Sequence, residues 1–310
     1  MPFAHGELIV KHRTPSETAL RIAGNHVASS LDPVLRTVMA FPDEPYSERF
    51  IRAHSLGARL RLGMWKWAPT RNFIFQLSDS RYPGASLHLL LRKRYIVETI
   101  RAALAPASNR PEQVVIFGGG FDPLALMLQP EFPETPIVEI DHPETQAVKH
   151  RVLAQMGTLP STLTLLPIDF ALESVEEKLR SVQGFHPQAR SLFLAEGLLM
   201  YLSEAEVAAL FEVVRRNSAP GGRFLFTFLD SAVVEDPNSY VALMAKDLAK
   251  MGEPLQWHLS QKKLDNFLHQ HGLKRLALAD HQTLRSKYLK PLKLDRPLGH
   301  GELIVVAQIT

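Results

Sequence analysis

The sequence predicts an α/β protein with a mostly parallel central sheet and an antiparallel last strand, preceded by an N-terminal helical region. Three observations carry this expectation. From residue 114 onward, short apolar runs alternate with helix-like periodic segments. The first such run, Val114-Val115-Ile116-Phe117, ends in Gly118, Gly119 and Gly120 and then a helix-start signal, Asp122-Pro123. The final run, residues 302–309, has little chain before it for a helical crossover, so an antiparallel neighbour is expected.

Taken in order, residues 14–104 contain periodic stretches at 16–28 and 90–104, the latter with Leu90, Leu91, Tyr95, Ile96, Ile100 and Leu104 at helical spacing. A polar, proline-containing break at 105–110 divides the chain into an expected helical region, 1–104, and an α/β domain, 105–310. Strands are expected at 114–117, 137–140, 163–168, 191–195, 223–229, 273–279 and 302–309, with a further strand or helix at 124–128 and a helix at 145–156. Ser203 and Glu206 have the spacing of a capping box for a helix reaching Val214, and Pro220-Gly221-Gly222 closes that region.

The triple-glycine turn reads as a nucleotide-cofactor loop. Glycines let backbone amides approach a ligand, and a helix start behind them favours polar or anionic groups. Asp141 ends the second strand about twenty residues beyond the glycines, where a carboxylate can accept both hydrogen bonds of a ribose diol. Glu139 shares its strand face, placed to support cofactor or loop. The plainer alternative is a tight turn at the glycines and a helix cap at Asp141. Counting from Gly118, a dinucleotide fingerprint would need Gly or Ala where Pro123 stands, which disfavours NAD.

Composition narrows the classes. The chain has 310 residues, 45% hydrophobic and 22% charged, with a formal charge of +3. Its basic clusters, Arg92-Lys93-Arg94 and the stretch from Arg285 to Lys293, each have one tyrosine rather than the several interleaved aromatics of a stacking platform, so no nucleic-acid partner is expected. With no cysteine there is no disulfide, thiolate metal site or cysteine nucleophile. The sequence shows neither a signal-peptide pattern nor a bilayer-spanning apolar run; a cytoplasmic protein with no membrane segment is expected. Trp65 and Trp67 are expected in packing. The hexapeptide at 5–10 recurs at 300–305, and both copies could lie as edge strands and pair.

These residues together resemble the leucine carboxyl methyltransferase family, the PPM-type branch of class I S-adenosylmethionine-dependent methyltransferases with a Rossmann-like sheet. The resemblance covers roughly residues 88–310. The family's G-x-G-x-D turn is matched by Gly118-Gly119-Gly120-Phe121-Asp122, and its E-x-D-x-P strand end by Glu139-Ile140-Asp141-His142-Pro143. Its A-E-G-x-x-x-Y-L segment is matched by Ala195-Glu196-Gly197-Leu198-Leu199-Met200-Tyr201-Leu202, and Arg92-Lys93-Arg94-Tyr95-Ile96 is similar to its R-x-R-x-I element. The resemblance implies S-adenosylmethionine as cofactor. It also implies Arg92 on the methionine carboxylate, Gly118, Gly120 and Asp122 in the loop, Asp141 on the ribose, Asp169 and Phe170 at the adenine, and Glu196 facing the methionine ammonium. Two departures stand out. Pro123 replaces the family's usual threonine, and the cofactor-binding lysine that precedes the D-P element has no counterpart before Asp32-Pro33, His26 being the nearest basic residue.

For the methyl acceptor, the resemblance implies a carboxylate or hydroxyl of a small molecule or a protein C-terminus, with specificity in the N-terminal helices and an acceptor-side insertion at about 231–272. A carboxylate would need only a clamp such as Arg285 and a phenolic donor, Tyr288 or Tyr201. A hydroxyl would need a base, for which His142, His258 and His281 are candidates. A cofactor-binding partner or sensor without catalysis, and an NAD-dependent oxidoreductase, are the competing classes.

Overall fold

A computed structural model of the chain describes residues 17–106, 108–157, 159–169 and 172–310. Among these, the strands β1 (Gln113–Phe117), β2 (Ile137–Asp141), β3 (Leu163–Pro167), β4 (Ser191–Ala195), β5 (Arg223–Leu229), β6 (Leu273–Ala279) and β7 (Glu302–Ile309) form a seven-stranded sheet in the order β3-β2-β1-β4-β5-β7-β6. Strands β1 to β5 are parallel, and β7 runs antiparallel to both β5 and β6. Strand order reverses between β1 and β4, which opens a crevice at their carboxyl ends, the usual ligand position in such sheets.

The inner strands β1, β2, β4, β5 and β7 read as nearly continuous apolar runs because both sheet faces are covered there, whereas the edge strands β3 and β6 are partly exposed. Side chains alternate between two cores. Val114, Ile116, Leu192, Leu194, Leu225 and Ile304 enter one, whereas Val115, Phe117, Phe193, Phe224, Phe226 and Val305 enter the other. The first face is covered by α1 (Glu17–Ser30), α2 (Tyr46–His54), α3 (Leu56–Lys66), α4 (Ala68–Arg81) and α5 (Ala85–Leu104), joined by α6 (Leu124–Leu128) and α7 (Pro143–Met156). The N-terminal helices therefore share one continuous core with the sheet. The second face carries α8 (Val175–Arg180), α9 (Glu204–Arg216) and, beyond α10 (Ser231–Val234) and α11 (Tyr240–Lys250), α12 (Leu264–Gln270); α13 (His281–Leu284) follows β6.

Local signals were transmitted with few changes. Ser203 and Glu206 form the expected reciprocal capping box on α9. Residues 124–128 are helical, and their helix begins one residue later than expected: Pro123 itself is the cap residue, while the Asp122 carboxylate accepts from the Leu124 amide at 3.0 Å. Trp65 lies against Gly24 of α1, where an added Cβ would fall 2.1 Å from the indole, but Trp67 is 63% exposed, against the expectation of packing. The edge-strand expectation for the repeated hexapeptide fails at its second copy. β7 lies inside the sheet with both edges taken by β5 and β6, and the copy at 5–10 lies outside the described residues. Among the described residues, no helix is long and apolar enough to cross a membrane.

Candidate active site

At the carboxyl ends of β1, β2 and β4 the chain encloses a cavity of about 310 Å³. It is lined by Arg92, Gly118, Gly120, Asp122, Asp141, Asp169, Glu196 and Tyr201, so eight residues singled out by sequence come together here. Phe170 lies outside the described residues. α1 roofs the cavity with Thr18, Ala19 and Ile22, and the segment after α11 closes another side with Gly252, Glu253, Pro254 and Gln256. This segment lies within the insertion expected at 231–272.

The glycine loop is held from below. Gly118 and Gly120 have φ of +67° and +48°, a region in which side chains with a Cβ are strained. Gly119 is required for a different reason: a Cβ there would stand 2.4 Å from the Glu139 side chain, which is itself immobilised. Glu139 is fully buried and ion-paired at 2.6 Å with Lys149, whose ammonium also donates to the Asp122 carbonyl at 2.6 Å. Burial outweighs the attraction of Lys149, and the nearby Asp122 and Asp141 add repulsion, so the Glu139 carboxyl is pushed up to about 7. Glu139 thus supports the loop. Lys149, which sequence reasoning missed, carries a signal only in retrospect, as a basic residue on the buried face of α7.

Asp141 accepts from the Gly120 amide at 2.5 Å and from the His142 amide at 2.6 Å. Burial moves its carboxyl upward, and these two amides offset part of that rise. Across the cavity stands a buried chain of alternating charge. Arg92 donates through Nε to Glu196 at 2.9 Å and through Nη1 to both oxygens of Glu302 at 2.8 Å. Lys93 joins Glu196 to Asp122. Burial works against the charge on both cations, yet the carboxylates raise Arg92 and Lys93 above their ordinary values. Asp122 is affected in the opposite sense: burial would raise it, but the Lys93 charge leaves it lowered. Glu302 and Lys93 were not singled out from sequence. Glu302 belongs to the second hexapeptide copy, which gives that copy a physical role: its acid anchors Arg92.

The donor set fits the methionine end of S-adenosylmethionine, which carries one carboxylate and one ammonium. Arg92 is paired with Glu196, and Lys93 with Asp122 and Glu196, so a zwitterion's carboxylate and ammonium would each meet an opposite charge by exchanging with these pairs.

The acceptor-side expectations fare unevenly. Tyr201 lines the cavity, and its phenol is pushed up to about 12 by burial and by the charges of Glu253 and Glu302, so it remains a neutral donor. Arg285 and Tyr288 do not line it. The Tyr288 hydroxyl donates to Glu98 at 2.8 Å from a position in the core under α5, and Arg285 donates to the Arg296 carbonyl at 2.7 Å beside a separate cleft. Of the histidines, His142 lines the cavity and caps α7, accepting from the Glu144 amide at 3.3 Å. His258 pairs with Ser231 at 2.9 Å, and His281 stacks near His300 with a centroid separation of 5.8 Å; neither lines the cavity.

The model of the family described as leucine carboxyl methyltransferase matches residues 34–215. This span takes in the N-terminal helices from residue 34 and stops short of the insertion, whereas the motifs alone suggested a start near 88. A relative from Mycobacterium avium (strain 104), provisionally named an S-adenosyl-L-methionine-dependent methyltransferase, is 31% identical over 202 residues, covering 63% of this chain and 62% of its own length. A similarly named relative from Mycolicibacterium gilvum (strain PYR-GCK) is 29% identical over 251 residues, covering 78% and 72%. One from Mycolicibacterium paratuberculosis (strain ATCC BAA-968 / K-10) is 30% identical over 202 residues, covering 63% and 69%. Among solved structures, a geranyl diphosphate methyltransferase in complex with GPP and sinefungin aligns with a TM-score of 0.49 at 13% identity, covering 73% of this chain and 80% of its own. With more than half of its residues matched by the family model, the chain belongs to the leucine carboxyl methyltransferase family of S-adenosylmethionine-dependent methyltransferases.

Proposed function

We propose that this enzyme methylates a hydroxyl group rather than a carboxylate. One observation carries the reading: the cavity is acidic, and its arginine and lysine are already engaged. Six carboxylates line it, from Asp122, Asp141, Asp169, Glu196, Glu206 and Glu253. Among the described residues, the only arginine and lysine lining it are Arg92 and Lys93, and both are bound to carboxylates of the chain. With Arg92 and Lys93 shared between these carboxylates and the cofactor's methionine end, a carboxylate acceptor would enter this field against repulsion and without the clamp that Arg285 was expected to supply.

When bound, S-adenosylmethionine supplies an electrophilic methyl on a sulfonium. Asp141 would hold the ribose, Asp169 the adenine amino group, and Arg92, Lys93 and Glu196 the methionine charges. On the acceptor side, Glu253 receives a hydrogen bond from Thr18 of the roof helix, which fixes its orientation. Glu253 is the base that takes the acceptor's hydroxyl proton as its oxygen is alkylated, and the neutral Tyr201 phenol orients that oxygen.

The test uses S-adenosylmethionine with a labelled methyl group and an extract of small molecules. Label that survives mild alkali supports an ether product, whereas label released as methanol marks a carboxyl ester and overturns the hydroxyl reading. Glu253→Gln is expected to slow transfer by roughly 10²- to 10⁴-fold, the usual worth of a positioned base, with cofactor affinity unchanged. Full activity in that variant would remove Glu253 from the chemistry. Cofactor contacts are tested separately: Asp141→Ala is expected to weaken S-adenosylmethionine binding by about 1–3 kcal/mol in calorimetry, as loss of hydrogen bonds to a charged acceptor does. Unchanged affinity would take Asp141 out of the site.

A further inference from the structure

Arg92 is aimed by side chains that do not line the cavity. Gly84, His88 and Arg92 recur at a spacing of four, so they lie in one row along α5 and its cap. The segment that enters β7 runs beside this row. The Gly299 amide donates to the Gly84 carbonyl at 3.0 Å, and a Cβ on Gly299 would stand 3.2 Å from that of His88. Gly301 turns the chain with φ of +99°, at a point where a Cβ would meet Val233 at 2.8 Å. Glu302, the next residue, thereby reaches both His88 and Arg92.

His88 is 3% exposed and stands outside the cavity lining. Its Nε2 lies 3.1 Å from Oε2 of Glu302. Its Nδ1 is buried and has no hydrogen-bond partner among the described residues, so the ring proton belongs on Nε2, where it donates to the carboxylate. Both oxygens of Glu302 also accept from Nη1 of Arg92, and Glu196 accepts from Nε. Nη2 is the remaining edge of the guanidinium. It has no partner among the described residues, and a Cβ on Gly197, which lines the cavity, would stand 3.5 Å from it. A carboxylate bonded to one guanidinium nitrogen alone can turn and carry the guanidinium with it; the bond from His88 fixes its plane.

We propose that His88 is a positioning residue for cofactor binding: by holding Glu302, it aims the Nη2 edge of Arg92 at the methionine carboxylate. The histidine has a second use. As the cofactor's carboxylate takes up Nη2, Arg92 divides its charge between anions of the chain and of the ligand, and His88 is the donor that stays with the buried Glu302. The proposal rests on Arg92 meeting the methionine carboxylate and is independent of the methyl acceptor.

The experiment is calorimetry of the full chain with S-adenosylmethionine and with 5′-methylthioadenosine, which has the adenosine half but no methionine carboxylate. His88→Asn places an amide near the position of Nδ1, out of reach of Glu302, whereas His88→Gln carries a donor out to the position of Nε2. His88→Asn is expected to weaken S-adenosylmethionine about tenfold, the size of one lost hydrogen bond to a charged group, and to leave 5′-methylthioadenosine unchanged. His88→Gln should restore most of that loss. If His88→Asn does not fold, His88→Leu, which occupies the ring's space without a donor, makes the same comparison. Unchanged S-adenosylmethionine affinity overturns the proposal. So does equal weakening of both ligands, which marks a structural role, or a glutamine variant as weak as the asparagine one. Arg92→Met tests the premise separately. Normal S-adenosylmethionine affinity in Arg92→Met means that Arg92 does not serve the carboxylate; loss there with none in His88→Asn keeps Arg92 in the site and removes only His88.

Discussion

Lys149→Met is expected to destabilise the protein by about 3–5 kcal/mol above neutral pH, the usual result of removing one partner of a buried pair. The reason is the position of Glu139. Both side chains are essentially inaccessible, and Lys149 is the cation that balances a carboxylate set beneath the glycine loop. The effect should depend on pH in a defined direction. The Glu139 carboxyl is raised from 4.5 to about 7, so the folded state binds its proton more tightly than the unfolded chain does. This group therefore contributes stability below pH 4.5 that is lost as pH rises toward 7. In the variant the carboxylate has no cation beside it, and its protonation should persist to still higher pH. Urea unfolding at about pH 5.5 and about pH 8.5 should show a small penalty at the first and the full penalty at the second. Equal losses at both pH values would mean that the cost is a packing cost and not an uncompensated charge.

A second consequence concerns the loop itself. Lys149 also donates to the Asp122 carbonyl, and Glu139 fills the space that a side chain at Gly119 would need. The variant should accordingly lose cofactor affinity at temperatures where it is still folded, because the loop has lost its support. This separates Glu139 and Lys149 from Asp141, whose carboxylate reaches the cavity itself.

Much of this arrangement was legible in the sequence, for a physical reason. Sheet strands buried on both faces are largely apolar, so β5 and β7 could be bounded from the apolar pattern and the Pro220-Gly221-Gly222 break. The glycine loop, Asp141 and Glu196 came together in one cavity because each lies at the carboxyl end of a strand, where parallel strands open the crevice. What remained hidden depends on long-range pairing. Glu302 is 210 residues from Arg92, and nothing local marks it as that arginine's partner. Arg285 and Tyr288 were acceptor-side candidates because a carboxylate acceptor would need a cationic clamp and a phenolic donor. Their helical turn instead buries the Tyr288 ring and aims its hydroxyl at the half-buried Glu98. Trp67 was misjudged because tryptophan burial is an average tendency, and this residue sits where one helix stops and the next starts.

The other large effect lies at the Arg92–Glu302 pair and has the opposite pH sign. Burial alone would raise the Glu302 carboxyl, but the charge of Arg92 and the hydrogen bonds from His88 and Arg92 hold it down at about 2. A carboxyl depressed in the folded state stabilises the fold above its unfolded value of 4.5, and this contribution is lost as pH falls toward 2. The difference corresponds to about 3 kcal/mol for a group this buried, an order-of-magnitude figure. Glu302→Gln should therefore flatten the acid limb of the stability profile between about pH 5 and pH 2. Arg92→Met should cost about 3–5 kcal/mol at neutral pH, because it leaves Glu302 and Glu196 both without their guanidinium. Combining the two substitutions should cost less than their sum, since the neutral amide that Glu302→Gln introduces needs no cation. Cofactor affinity distinguishes the two roles of Arg92. If it serves the methionine carboxylate as well as Glu302, the double variant will regain stability without regaining S-adenosylmethionine binding. If binding returns together with stability, Arg92 acts only by holding Glu302 and Glu196 in place, and Lys93 is left as the cation that meets the cofactor.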